Sequence, residues 1–205
     1  KIVAITDDAY FGLVYEEGIA RESIFAPLCN LHPNVLAVKV DGATKEDYVW
    51  GFRTGFITYG IKGGDADLYS ALESKTAGAI RGNISNAANI SQSLLYNVYN
   101  SDEYLLQKQA KHQIMQDRYN AVKETLKDGK YKTYFTALPF NSGYFMCVQL
   151  AEGLTGEKVR QVLIKKYSIG TISLNNILRL AYSAVAAKDV KDMFEGIYKA
   201  CEECS

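Results

Sequence analysis

The chain has 205 residues, 48% of them hydrophobic and 22% charged, a balance that suits a globular protein with one substantial core or two smaller ones. Lysine plus arginine and aspartate plus glutamate each number 23, so the net charge is zero and no basic footprint for nucleic acid or a membrane surface stands out. No apolar run approaches the roughly 20 residues that a membrane span requires.

The opening Lys1-Ile2-Val3-Ala4-Ile5-Thr6 is short, β-branched and followed at once by acids, unlike a signal-peptide core. It reads as a buried strand already in progress, and a chain that opens inside a sheet is expected to be a piece of a longer one. Strands are predicted over 2–6, 35–40 and 55–59, and apolar residues at helical spacing predict a helix over 65–77. A proline-free helical run covers 94–126, crossed by Asn100-Ser101-Asp102-Glu103, which reads as the N-cap between two successive helices. Asp128-Gly129-Lys130 ends that run. Two strand-like runs follow, 133–138 and 144–150, joined by the turn signal Pro139-Phe140-Asn141-Ser142-Gly143. A helix over 155–167, short strands over 169–173 and 177–183, and an amphipathic helix over 187–203 complete the chain. The four cysteines include Cys201 and Cys204, but no second pair at ligand spacing accompanies them, so they read as free thiols at a helix end and no metal site is expected. The sequons at Asn83 and Asn89 carry no weight without a sign of secretion.

Three constellations sit at strand ends, where α/β proteins place functional groups. They are Asp7-Asp8-Ala9-Tyr10 after the first strand, Lys45 after Asp41-Gly42-Ala43-Thr44, and Arg53 within Gly51-Phe52-Arg53-Thr54-Gly55. Each has a plain explanation alone: acids cap helices, a lone lysine is solvated, and an arginine between glycines satisfies turn carbonyls. Their order and spacing together carry more. An aspartate three residues before a tyrosine, then a lysine, then an arginine eight residues after it, resembles the signature of fold-type I pyridoxal-phosphate enzymes of the aspartate aminotransferase family. The resemblance continues at Arg81-Gly82-Asn83-Ile84-Ser85-Asn86, at Asn141-Ser142-Gly143-Tyr144-Phe145 and at Leu178-Arg179-Leu180-Ala181-Tyr182, and so runs over nearly the whole chain.

That resemblance implies roles. Lys45 would be the Schiff-base lysine and catalytic proton carrier, and Asp7 would keep the pyridine nitrogen of pyridoxal 5'-phosphate protonated. Tyr10 would donate to the ring's phenolic oxygen. Arg53 would hold the phosphate and Arg179 the substrate's α-carboxylate, each with a fixed fork of donors that lysine lacks. The segment 81–86 resembles a loop that enters the neighbouring subunit's site, with Ser85 at that neighbour's cofactor phosphate and Arg81 at the distal carboxylate of a dicarboxylic substrate. The plainer reading of Arg81 is that it orders its own loop. One position departs from the family: Gly42 stands where many relatives carry a phosphate-binding serine, and Thr44 is the nearest substitute.

The expected fold is α/β. Residues 1–104 would be the C-terminal part of the large cofactor-binding domain and 105–205 a small α+β C-terminal domain. The expected function is transamination between an amino acid, aspartate-like by preference, and a 2-oxo acid, in a cytoplasmic homodimer. The chain would lack the family's N-terminal half and be inactive when isolated. Two alternatives share these residues: another fold-type I enzyme, a β-lyase or decarboxylase, and a non-catalytic sensor domain of a transcription regulator.

Overall fold

The computed structural model describes residues 1–205 and divides into two compact units. The first comprises Lys1–Val14 with Gly18–Lys108, and the second comprises Tyr15–Glu17 with Gln109–Ser205.

The first unit is built on a three-stranded sheet in the order β1 (Ile2–Asp7), β2 (Val35–Asp41), β3 (Phe56–Gly60). β1 and β2 run parallel, with Asp7 level with Val40, and β3 returns antiparallel with Phe56 level with Asp41. This topology brings the end of β1, the end of β2 and the start of β3 to one rim of the sheet. The β-branched runs form strands as expected. β1, however, is not buried: Ile2, Val3 and Ile5 are 63%, 60% and 69% exposed, because no helix of this unit packs over either face of the strand. A short helix, α1 (Phe25–Cys29), covers β2 and β3 so closely that a Cβ at Gly60 would lie 2.1 Å from Cys29 Sγ.

A single helical turn, α2 (Ala43–Glu46), follows β2, and a 3-10 turn, Trp50–Phe52, leads back toward β3. Next come α3 (Ala66–Asn83) and α4 (Asn89–Tyr99), and α5 (Tyr104–Thr125) gives its first residues to this unit. The Asp65 carboxylate caps α3 by accepting from the Leu68 N–H at 2.9 Å. This helix runs six residues past the expected 77, so Arg81, Gly82 and Asn83 lie in its last turn rather than in a loop. The break between α4 and α5 falls at Asn100–Glu103, where the capping residues predicted it.

The second unit carries a four-stranded antiparallel sheet in the order β4 (Phe135–Ala137), β5 (Met146–Leu150), β7 (Ile177–Leu180), β6 (Ile172–Leu174). Register sets Met146 against Leu180 and Val148 against Leu178, so the buried residues of the two central strands share one face. The other helices are α6 (Gly156–Val162), continued by a π-helical turn Leu163–Tyr167, and α7 (Val190–Glu202). Along α7, Val190, Met193, Phe194, Ile197, Ala200 and Cys201 recur at helical spacing and all are buried. The Cys201 thiol is pushed up to about 12, first by burial and then by Cys204 beside it, which removes it from thiolate chemistry. Both cysteines are free, at the end of the terminal helix. Of the two short strands expected over 169–173 and 177–183, the first begins three residues later and the second stops at Leu180, where the chain turns into the 3-10 segment Tyr182–Ala184. No helix is long and apolar enough to cross a membrane.

Candidate active site

The rim of the first sheet collects the residues singled out in sequence. Asp7 is the last residue of β1, and its carboxylate accepts from the Ala9 N–H at 3.2 Å, which fixes the turn leading to Tyr10. Lys45 projects from α2 after β2, and its Nζ lies 5.6 Å from the centroid of the Tyr10 ring, within cation–π range. Arg53 sits just before β3 and donates to the Trp50 carbonyl at 3.4 Å. A cavity of about 210 Å³ is lined by Ala9, Asp41, Gly42, Thr44, Lys45, Arg53 and Gly55. A second cavity in the same unit, about 590 Å³, is also reached by Arg53 and is walled by Phe56, Ile80, Ile84, Leu95 and Tyr96.

The loop between β2 and β3 is built under strain. Tyr48 and Arg53 take left-handed backbone angles, φ 61° and 55°, which cost a non-glycine residue roughly 1 kcal/mol or more each. The surroundings must therefore hold the loop. At one end the chain segments nearly touch: a Cβ at Gly42 would lie 2.6 Å from the Thr54 carbonyl oxygen and 2.8 Å from the Gly55 Cα. A serine at Gly42 would have no room there. Thr44, two residues on, lines the cavity with Arg53 instead.

At the other end of the loop is a cluster that sequence reading did not find. The Asp47 carboxylate, 8% exposed, accepts from the Tyr99 and Tyr104 hydroxyls at 2.7 Å each and lies 3.3 Å from Lys108 Nζ. The Lys108 ammonium also donates to Glu46 at 2.6 Å and to the Tyr104 hydroxyl at 3.1 Å. Burial alone would push the Lys108 ammonium down, but Glu46, Tyr104 and Asp47 outweigh it and hold it above the ordinary lysine range. Burial, then hydrogen bonding to Asp47, pushes the Tyr99 and Tyr104 hydroxyls up. The one available signal was the pair of acids directly after Lys45.

Arg81 and Ser85 come together with each other: the guanidinium donates to the serine hydroxyl at 2.6 Å, both side chains exposed. Ser85 is itself left-handed at φ 68°, so the contact orders the end of α3. In the second unit Arg179 lies on β7 between Leu178 and Leu180, on the opposite face from those buried residues. Its guanidinium stacks 3.9 Å from the centroid of the Phe145 ring, which fixes the plane of its donors. The segment 141–145 lies before β5 rather than within it, and the Tyr182 hydroxyl secures it by donating to the Gly143 carbonyl at 2.6 Å.

The donor set of the first rim suits a phosphorylated aldehyde. A primary amine, a guanidinium and a threonine hydroxyl face one cavity, with an aromatic ring against the amine and a carboxylate on the neighbouring strand end.

Comparison with solved structures shows the same fold. An aminotransferase from Anaerococcus prevotii superposes with a TM-score of 0.78 at 21% identity, over 98% of this chain and 47% of that one. The aromatic aminotransferase of Pyrococcus horikoshii matches at 0.74 and 15% identity, over 98% and 51% respectively. The alpha-aminoadipate aminotransferase of Thermus thermophilus, solved with N-(5'-phosphopyridoxyl)-L-leucine, matches at 0.74 and 18% identity, over 98% and 50%. The chain thus spans about half the length of these structures. No curated protein matches its sequence. The family model for aminotransferase class I and II matches residues 1–197, and the chain belongs to that family.

Proposed function

We propose that the protein carrying this chain transfers an amino group between an amino acid, dicarboxylic by preference, and a 2-oxo acid, with pyridoxal 5'-phosphate as cofactor. The observation that carries the reading is the meeting of Lys45, Arg53 and Thr44 on one cavity, with Tyr10 against the lysine. Residues 1–104 serve as the C-terminal part of the large cofactor-binding domain and 105–205 as the small domain. The working form is a cytoplasmic homodimer.

Pyridoxal phosphate, when bound, supplies an electron sink for a carbanion at the substrate's α-carbon. Lys45 would hold the cofactor through its Nζ, and its amine would serve as the general base toward the proton on the substrate α-carbon. Asp7 provides a negative charge that favours a protonated pyridine nitrogen. Arg53 holds the phosphate with Thr44 beside it, and the Tyr10 hydroxyl donates to the ring oxygen. Arg179, its plane fixed by Phe145, presents a bidentate fork to the α-carboxylate. Arg81 and Ser85 serve a neighbouring subunit, Arg81 toward a distal carboxylate and Ser85 toward phosphate; their exposure at the end of α3 supports this reading.

The test is an amino-donor screen on the longest product of the gene, supplied with pyridoxal phosphate and 2-oxoglutarate. Glutamate formed from aspartate faster than from aromatic or aliphatic donors supports the reading in full. Release of carbon dioxide, or of a sulfur compound with pyruvate and ammonia, in place of glutamate overturns it in favour of a decarboxylase or β-lyase.

A further inference from the structure

Lys45 rides on a helix of only four residues, and one turn of helix has no stability of its own. The strained backbone at Tyr48 follows directly. What holds the turn is the cluster at its C-terminal end. Glu46 and Asp47, the two residues after the lysine, are gripped by Lys108 and by two tyrosine hydroxyls. These three partners come from the last residue of α4 and the first residues of α5, more than 50 positions away in sequence. The rings of Tyr99 and Tyr104 meet edge to face at 5.2 Å, which keeps both hydroxyls aimed at one carboxylate.

The geometry points to Asp47 as a positioning residue for Lys45: with Lys108 it clamps the lysine's helical turn to the junction of α4 and α5. This inference rests on the reading of Lys45 as the cofactor lysine. Asp47 does not line the cavity that Lys45 faces. It fixes the anchor from which Nζ reaches into the cavity, and small errors of placement weigh heavily on a covalent step. Lys108 neutralises the carboxylate, so the clamp is held together by hydrogen bonds and an ion pair at once.

The experiment uses the longest product of the gene with pyridoxal phosphate as probe. Three readouts are taken: the rate of borohydride-stable adduct formation on Lys45 by peptide mass mapping, the visible-region circular dichroism per bound cofactor, and Tm. Asp47→Ala is expected to slow adduct formation on Lys45 roughly tenfold and to weaken the visible dichroism, with adduct spreading to other lysines. Tyr104→Phe removes one hydroxyl and keeps the fold should Asp47→Ala fail to mature; its expected loss is smaller, roughly threefold. Lys108→Arg, which keeps a cation beside Glu46 and Asp47, is expected to retain more of the rate and dichroism than Asp47→Ala. Equal rates and dichroism in Asp47→Ala and Tyr104→Phe, whatever their Tm, overturn the clamp while leaving the cofactor reading intact. An unaltered protein without adduct on Lys45 overturns both, and that failure is recognisable because it precedes any substitution.

Discussion

In the second unit, Val148, Val159, Leu163, Leu178, Phe194 and Ile197 are all wholly withdrawn from solvent, whereas the first unit leaves Ile2, Val3 and Ile5 of one strand mostly exposed, along with Trp50, Ile84 and Ile90. The two units therefore use apolar residues differently. The second closes its sheet with an amphipathic helix and buries a contiguous set of side chains. The first invests its packing around the loop that carries Lys45 and Arg53, where Ala43 and Thr54 are buried and Gly42 touches Thr54. The lesson is that apolar composition measures capacity for burial, while the second unit alone fills that capacity from its own elements.

This contrast can be broken or sharpened by substitution. The largest effect is expected at the centre of the second unit: Phe194→Ala should cost about 3–5 kcal/mol, because the ring packs against Tyr131 and Phe135 with no room to collapse. Ile5→Ala, a comparable truncation in the first unit, should stay within about 0.5 kcal/mol. Urea unfolding followed by hydrogen exchange in each unit checks both. Similar costs at the two positions would erase the contrast.

A smaller effect should appear with pH: raised lysines and tyrosines occur in both units, whereas the lowered carboxylates lie in the second. Lys108, Tyr99 and Tyr104 of the first unit all have raised values, so their protonated forms are favoured in the folded chain. Their contribution is complete below about pH 10 and is lost as pH rises through the folded-state values. In the second unit, Glu195 is lowered first by its hydrogen bond from Lys130 and then by Tyr131, and Glu16 is lowered first by Tyr119 and then by Lys123. Those contributions are present above the ordinary carboxylate range and fade as pH falls through and below it. Hydrogen exchange should therefore show α4 and the start of α5 loosening in alkali, and the Glu195 and Glu16 contacts loosening in acid. Loosening of α4 in acid would contradict the assignment of the Asp47 cluster.

The smallest effect is local. Asp65→Ala removes the cap of α3 and should cost about 1 kcal/mol, seen as faster exchange in the first turn of that helix with the second unit unchanged.

Much of this was legible because it was local. β-branched runs marked β1, β2 and β3 within a residue or two, the acids and serine at 100–103 marked the break before α5, and Asp7, Lys45 and Arg53 fall at neighbouring strand ends with the Tyr10 ring near the lysine. What was not legible depended on distance. The Asp47 cluster joins residues 52 to 62 positions apart, and no periodicity reports such a contact. The exposure of β1 was misread because its residues look alike whether or not another layer lies over them. Arg81–Asn83 reads as loop in sequence because this last turn of α3 holds glycine and asparagine, both poor helix formers.

The central claim is that Lys45 holds pyridoxal phosphate, and the most direct test is a borohydride trap on the longest gene product, followed by peptide mass mapping. The account predicts one reduced adduct, on Lys45, absent in Lys45→Ala. An adduct on another lysine would contradict it, and none at all would leave a relative of the same fold that works without the cofactor.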